Sequence, residues 1–502
     1  MVDELSIKMR AHSGCSAPQE NESKKQKLLF EALASIDNKY SQYFQRRRLQ
    51  VILLMTTAPP LKSPWGVPKV LPPLGLAYVA AALEKAGFQV EMLDNYQLRK
   101  SIDYVKLEIK KLNPEIVGIN CSSVTYPRCI ETAKAVKEVL PSCIVVVGGW
   151  HPTYMPESML QHPEIDYVVM GEGEGTMVEL ATNITKGEGY SNISKIPGIA
   201  FKHEGKIVKT TPKFIDDLDQ IPYPARHLLP MQLYDRTIAY LSVEPIDTMN
   251  VIRGCPYNCT YCETMKLWGK TCRAFSPPRV VGEINHLVEN YGSKGIYFLG
   301  DNFTIHKKRT IEICKLIKKS KLDIEWVCDT RVDLISRELL REMKDAGCRT
   351  IFFGVESGSQ RILNKIKKEI TLQQFIDGFK LCREEGIQIA CSFIMGIPGE
   401  TVKDMEATFK FAKKLDPDWC TFEIFIACPD SGLYQEIMQK GLYDRVEGFL
   451  AYVKTEDFDY ESLLEIQRRF QKGYNLSPKR IRRIIKREGL FTVLKKGVKL
   501  LS

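Results

Sequence analysis

From Val51 onward the chain alternates short β-branched apolar runs with longer stretches of helical period. VILLM (51–55) is followed by LGLAYVAAALEKAG (74–87), QVEML (89–93), a helical stretch to Leu112, EIVGIN (115–120), a second helical stretch to Leu140, and CIVVVGG (143–149). Runs this short and this continuously apolar read as strands buried on both faces, and the helices between them make the strands parallel. The pattern predicts a doubly wound, Rossmann-like sheet over 49–189. Ligands of such a sheet sit past the carboxyl ends of its strands, at the switch point. Thr56–Pro73, Asn120–Tyr126, Gly148–Thr153 and Met170–Gly175 are the loops on that edge.

A Pro-, Asp- and Tyr-rich stretch over 190–247 reads as a linker, after which a second α/β series begins. TMNVI, GIYFLG, IEWVCD, TIFFGV, IQIACSFIMG and WCTFEIFI are each followed by a helical segment. Six such units predict a partial (β/α)6 barrel of the TIM type over 248–435, with its chemistry at the strand carboxyl ends. Residues 436–502 read as a helical region. Residues 1–48 are polar and rich in Lys, Glu and Ser, and read as an extension that is partly disordered.

Composition narrows the class. With 44% apolar and 26% charged residues in 502, the chain has the balance of a globular protein with room for two or three cores. The apolar stretch from Leu74 to Leu83 stops at Glu84 after ten residues, half of the roughly 20 a bilayer span needs. No secretory pattern opens the chain, and the expected location is the cytoplasm. The 15 cysteines, many inside apolar strands, fit a reducing compartment better than a disulfide framework. The net charge of +10 is concentrated between Lys479 and Lys499, where nine Lys or Arg face one Glu, a local charge of +8. The remainder is nearly neutral, so a nucleic-acid surface is not indicated.

RGCPYNCTYCE follows TMNVI directly and puts Cys255, Cys259 and Cys262 on one loop at the catalytic end of the barrel. Three thiolates this close can take three corners of a cubane and leave one iron open, with Gly254 and Pro256 helping the loop wrap inward. A zinc knuckle and three unrelated core cysteines are the competing readings. Zinc wants a fourth Cys or His nearby, but Cys272 lies ten residues on and no His follows Cys262 before His286.

The spacing, with Tyr261 before the last cysteine, resembles the signature of the radical S-adenosylmethionine superfamily, and the likeness runs from about Thr248 to Gly432. It implies a [4Fe–4S] cluster on Cys255, Cys259 and Cys262, whose open iron chelates the amino and carboxylate groups of S-adenosylmethionine. It further implies that one electron from a flavodoxin- or ferredoxin-type donor cleaves the sulfonium to methionine and a 5′-deoxyadenosyl radical. Position by position, the resemblance puts Gly300, Asp301 and Asn302 at the methionyl amine and Arg331 at the methionyl carboxylate. Glu356, helped by Ser357, takes the ribose hydroxyls, and Gly396, Ile397, Pro398 and Gly399 let the backbone approach adenine. Taken singly, Glu356 also reads as a helix-start carboxylate, Arg331 as an ion pair and the glycines as turn residues.

The segment Val51 to Leu180 resembles the cobalamin-binding domain that precedes many such barrels, through PPLGLAYVAAALEKAG, NCSSVT, GGWHPT and MGEGE. The resemblance implies that Gly148 and Gly149 allow close approach of a large ligand. It makes Ser122, Ser123 and Thr125 face its nucleotide tail, and it puts His151 at the corrin edge or tail and Gly171 and Glu172 at the same mouth. Thr56 to Gly75 holds no histidine, so cobalt receives no imidazole from that loop. An ordinary flavodoxin-like sheet for another nucleotide is the alternative.

Ser477 and Pro478 start a helix that puts Ile481, Ile484 and Ile485 on one face and arginines and lysines opposite. Peripheral contact with an anionic membrane and a plain solvated cap both fit it. Together the likenesses imply a cobalamin-dependent radical enzyme that methylates an unactivated carbon of a small-molecule or lipid substrate. Ring formation, as in anaerobic Mg-protoporphyrin ester cyclases, is the alternative outcome. A tRNA methylthiotransferase is disfavoured, because its front domain carries three further cluster cysteines whereas Cys121, Cys129 and Cys143 lie on a strand end and along a helix. A non-catalytic module has no need of Glu356 and the glycine turns.

Overall fold

The computed structural model describes residues 51–59, 71–429 and 431–488, so the expected extension over 1–48 and the end of the basic tail lie outside the described residues. Strands β1 (Val51–Thr56), β2 (Gln89–Asp94), β3 (Ile116–Asn120), β4 (Ile144–Gly148) and β5 (Tyr167–Val169) pair in parallel. They belong to a seven-stranded sheet of order β2-β1-β3-β4-β5-β6-β7. Alternation along β1 covers both faces: Leu53 and Met55 pack with Val105, Ile109 and Val136, while Ile52 and Leu54 pack with Leu76 and Leu83. The order reverses between β1 and β3, so the switch point opens above them.

β6 (Ile199–His203) and β7 (Lys206–Lys209) extend this sheet antiparallel from inside 190–247, where only a linker is expected. KIVK of β7 is mostly solvent-facing and shows no apolar run. The turn joining the two is carried by Glu204 and Gly205, at φ 49° and 76°, which suits a two-residue hairpin.

The second sheet consists of β8 (Ile246–Asn250), β11 (Gly295–Leu299), β12 (Glu325–Thr330), β13 (Cys348–Glu356), β14 (Gln388–Met395) and β15 (Trp419–Ile424). Its order is β15-β14-β13-β12-β11-β8, all parallel, with two free edges: an open barrel. Phe298, Trp326, Cys328, Phe353, Cys391 and Phe393 point outward into one core with the covering helices. The alternate positions, among them Asn250, Tyr297, Asp329, Gly354 and Glu356, therefore face inward. Tyr240 closes the lower end, its ring 5.8 Å from Phe352 and 5.6 Å from Trp419.

Between β8 and β11, β9 (Ile252–Arg253) pairs antiparallel with β10 (Arg273–Ala274) and brackets the cysteine loop. Beyond the last barrel strand, β16 (Ile426–Ala427), β17 (Tyr443–Glu447) and β18 (Leu450–Val453) form a small antiparallel sheet, of which β17 and β18 lie inside the region expected to be helical. β17 reads YDRVE and is largely exposed, so no apolar alternation announces it. Helices Tyr460–Asn475 and Pro478–Glu488 follow. The second is fastened to the underside of the barrel, with Lys479 2.8 Å from Asp416 and Arg480 2.6 Å from the Asp418 carbonyl. Among the described residues no helix is long and apolar enough to cross a membrane.

Candidate functional site

The cysteine loop is shaped by its first residue. Gly254 has φ +93°, and a β-carbon there would lie 2.3 Å from the Thr271 carbonyl oxygen, so the chain turns into the barrel mouth only because no side chain is present. Cys255, Cys259 and Cys262 are free, half-buried thiols on this loop. The Thr260 amide donates to the Ile366 carbonyl at 3.0 Å, and Gly432 packs on the Thr260 carbonyl, which pins the loop from below. Cys259 and Cys262 line a cavity of about 720 Å³ shared with Asn258, Asn364, Lys367 and Glu369.

Most residues expected around the cysteines are brought to them. The Asn302 amide donates to Cys255 Sγ at 3.3 Å. Asp301 accepts from the Gly254 amide and the Thr264 hydroxyl, each at 3.1 Å, and burial raises its pKa. The Arg331 guanidinium lies 3.6 Å from the centroid of the Tyr257 ring and is paired twice with Asp333, at 3.0 Å. Tyr261 donates its hydroxyl to Glu356 Oε1 at 2.7 Å.

Other positions are turned differently. The Ser357 hydroxyl is fully buried against Thr408, 3.2 Å away. Gly396, Ile397, Pro398 and Gly399 form the turn after β14, but the Gly396 and Ile397 amides donate to Glu400 Oε2, at 2.7 and 3.2 Å. Burial pushes the Glu400 carboxyl up to about 8.

On the front sheet, Gly148, Gly149, Gly171 and Glu172 line a cavity of about 370 Å³, together with Tyr78 from the helix Leu74–Lys85. Its opposite wall belongs to the barrel: Asn250, Arg253, Trp268 and Leu299. Ser122 and Thr125 border a second cavity of about 190 Å³, their hydroxyls 3.1 Å apart. His151 is fully buried instead of lying at the mouth. Its Nδ1 meets Ser123 at 3.0 Å, its Nε2 meets Ser158 at 3.0 Å, and Tyr126 and Phe449 flank the ring. A buried imidazole needs both nitrogens satisfied, and these hydroxyls do so.

Glu172 carries the least expected arrangement. Its carboxylate takes Arg253 at 3.0 Å, Arg273 at 2.8 Å and the Ile215 amide at 2.6 Å, while Glu174 takes the other end of Arg253 at 2.5 Å. Arg253 also lies over the Trp268 ring at 4.8 Å. The residue immediately before Gly254 is thus locked into the glycine turn of the front sheet. Sequence reasoning named Glu172 for the cofactor and passed over Arg253; the adjacency RGC was the one available signal.

An open parallel barrel carries three thiols on the loop after its first strand and shares a cavity with the switch point of a doubly wound sheet. Residues 249–412 match the radical SAM superfamily and residues 67–181 the B12 binding domain. An uncharacterized methyltransferase of Pyrococcus horikoshii is 35% identical over 86% of this chain and 94% of its own length. The anaerobic magnesium-protoporphyrin IX monomethyl ester cyclase of Rubrivivax gelatinosus is 33% identical over 75% of this chain and 67% of its own. Among solved structures, the radical S-adenosylmethionine methyltransferase TsrM from Kitasatospora setae, with cobalamin and a [4Fe–4S] cluster bound, superposes with a TM-score of 0.64. The two are 20% identical, over 80% of this chain and 76% of that one, a likeness of fold.

The chain belongs to the radical S-adenosylmethionine superfamily, in its cobalamin-dependent branch, and its cofactors are a [4Fe–4S] cluster, S-adenosylmethionine and cobalamin. The residues present fit these groups. The thiols are unpaired and half-buried, with an amide donor already on one of them. In the wall of the front cavity the Tyr78 hydroxyl and Asn250 Oδ1 are buried polar atoms without a protein partner.

Proposed function

We propose that the protein methylates an unactivated carbon of a small-molecule substrate. When bound, the cofactors supply reductive cleavage of S-adenosylmethionine to a hydrogen-abstracting 5′-deoxyadenosyl radical, and a methyl group carried on cobalamin. Cys255, Cys259 and Cys262 hold the cluster, with Asn302 donating to the first of them. Asp301 offers a carboxylate for the methionyl ammonium, Arg331 a cation for its carboxylate and Glu356 an acceptor for the ribose hydroxyls. Gly148, Gly149, Gly171, Ser122 and Thr125 border the cobalamin crevice, and the walls around Tyr78, Leu299 and Trp268 exclude water from it. In this reading 49–189 holds cobalamin, 248–435 the cluster, and 436–502 closes the barrel.

The observation that carries the reading is the shared cavity. One wall is the front sheet's glycine turns and the other is the barrel strand that leads into the cysteine loop, so a group held in front lies beside the segment that carries the three thiols. The methyltransferase relative, matched over nearly its whole length, supports this outcome. Ring formation is the second reading, favoured by the cyclase relative. A flavodoxin- or ferredoxin-type donor supplies electrons in either case, in the cytoplasm. The basic helix 478–488, tied to the barrel through Lys479 and Arg480, reads first as a cap with a solvated face; peripheral membrane contact, and with it a lipid substrate, is the alternative.

Protein isolated anaerobically from a cobalamin-supplied host should contain about four irons and one cobalt per chain. Given reductant and S-adenosylmethionine, it should release 5′-deoxyadenosine together with S-adenosylhomocysteine, the remnant of methyl donation. 5′-Deoxyadenosine alone would favour the cyclase reading, and neither product would overturn both.

A further inference from the structure

The segment after the cysteine loop's anchor, Ile366–Ile370, has no role in the reading above, yet it contributes a charged group to the site. Lys368 is buried, its side chain 7% exposed, with Nζ 2.9 Å from Glu356 Oε1 and 3.2 Å from the Tyr261 hydroxyl. Tyr261 donates to the same Oε1 at 2.7 Å. One carboxylate oxygen therefore holds two donors, while among the described residues no donor reaches Oε2.

The chain accepts several costs to build this. A buried ammonium is expensive unless paired. Glu356 stands at φ +68°, and Lys367 and Glu369 on either side of Lys368 stand at φ +54° and +57°. A left-handed backbone is strained for a residue with a β-carbon. On β13, a β-carbon at Gly354 would lie 2.2 Å from Glu356 Oε1 and 3.2 Å from Lys368 Nζ, so the pair occupies the place of a side chain. The Thr260–Ile366 bond ties the same segment to the cysteine loop.

We propose that Lys368 is a positioning residue for S-adenosylmethionine. With Tyr261 it fixes Oε1 of Glu356, so that Oε2 is the acceptor for the adenosyl ribose diol. The proposal rests on the assignment of Glu356 to the ribose, and its test separates the two.

Cluster-loaded protein is titrated anaerobically with S-adenosylmethionine and, separately, with L-methionine, which lacks the ribose, while the electron paramagnetic resonance signal of the reduced cluster is followed. Lys368→Met should keep the iron content, the ligand-free signal and the methionine titration of the parent. Its dissociation constant for S-adenosylmethionine should rise about tenfold, a cost of about 1.4 kcal/mol. Lys368→Arg should recover most of that loss, and Tyr261→Phe, which removes one donor, should lose about threefold, half as much on the free-energy scale.

Parent-like S-adenosylmethionine affinity in Lys368→Met, with Glu356→Gln weakened, would overturn the role of Lys368 alone. Parent-like affinity in Glu356→Gln would overturn the ribose assignment itself. An equal loss for methionine and S-adenosylmethionine would place the effect on the cluster and overturn the proposal as well.

Discussion

At the scale of single residues, the inward face of the barrel holds an acid that the expected site residues do not include. Asp329 on β12 accepts the Tyr297 hydroxyl at 2.8 Å, and burial, with Asp301 nearby, pushes its carboxyl up to about 7. The folded chain thus holds this proton more tightly than the unfolded chain does. The stabilisation is full below about pH 4 and is lost as pH rises through about 7. Asp329→Asn should remove that slope. Calorimetry should show it gaining on the parent in melting temperature between pH 5 and pH 8, and parallel curves would rule the titration out. Asn302 has a different measurable effect. Hydrogen bonds to cluster sulfurs favour the reduced state, so Asn302→Ala should lower the cluster midpoint potential by about 40 mV, the one-electron equivalent of about 1 kcal/mol. An unchanged potential in a redox titration would show that the 3.3 Å contact carries no such weight. Neither residue's partner was legible in sequence: Tyr297 lies 32 positions from Asp329 and Cys255 lies 47 from Asn302, distances only the closed barrel removes.

At the scale of elements, legibility followed burial. β1, β3 and β4 are covered on both faces and the barrel strands on their helix side, and apolar runs betray them. β7 and β17 are exposed ribbons whose residues answer to water, so their segments read as linker and helix. The cysteine loop is the opposite case. Its spacing was plain, but the ladder of β9 and β10 that presents it is two residues long on each side and shows no pattern. That ladder makes Gly254 a sharp test. Gly254→Ala puts a methyl 2.3 Å from backbone oxygen at a left-handed φ, a clash that only a shift of the loop can relieve. The variant should fold with its strands intact by circular dichroism and hold less than half the parent's iron. Full iron loading would show that the loop takes its shape without the ladder.

At the scale of the whole molecule, the question is whether the two sheets act as one site. Arg253, Arg273, Glu172 and Glu174 form a buried ionic cluster across the boundary, with Arg253 side-chain exposure of 2% and Glu172 of 0%. Charges this deep depend on their partners, and removing one partner of such a pair typically costs about 3–5 kcal/mol. The exposed Lys307–Glu338 pair, at 2.6 Å, should contribute about 1 kcal/mol or less. Arg253→Met takes the arginine partner from Glu174 and one of two arginines from Glu172 on the cobalamin side, and it unfastens the residue next to Gly254 on the cluster side. It should therefore lower cobalt and iron content together, while Lys307→Met changes neither. Elemental analysis of the two variants, purified side by side, decides it. If Arg253→Met loses iron and keeps cobalt, the front sheet is a separate receptacle and the shared cavity is a chance adjacency. If both metals fall in step, the arginine before the first cysteine is what makes a cobalamin domain and a radical barrel one catalytic chamber.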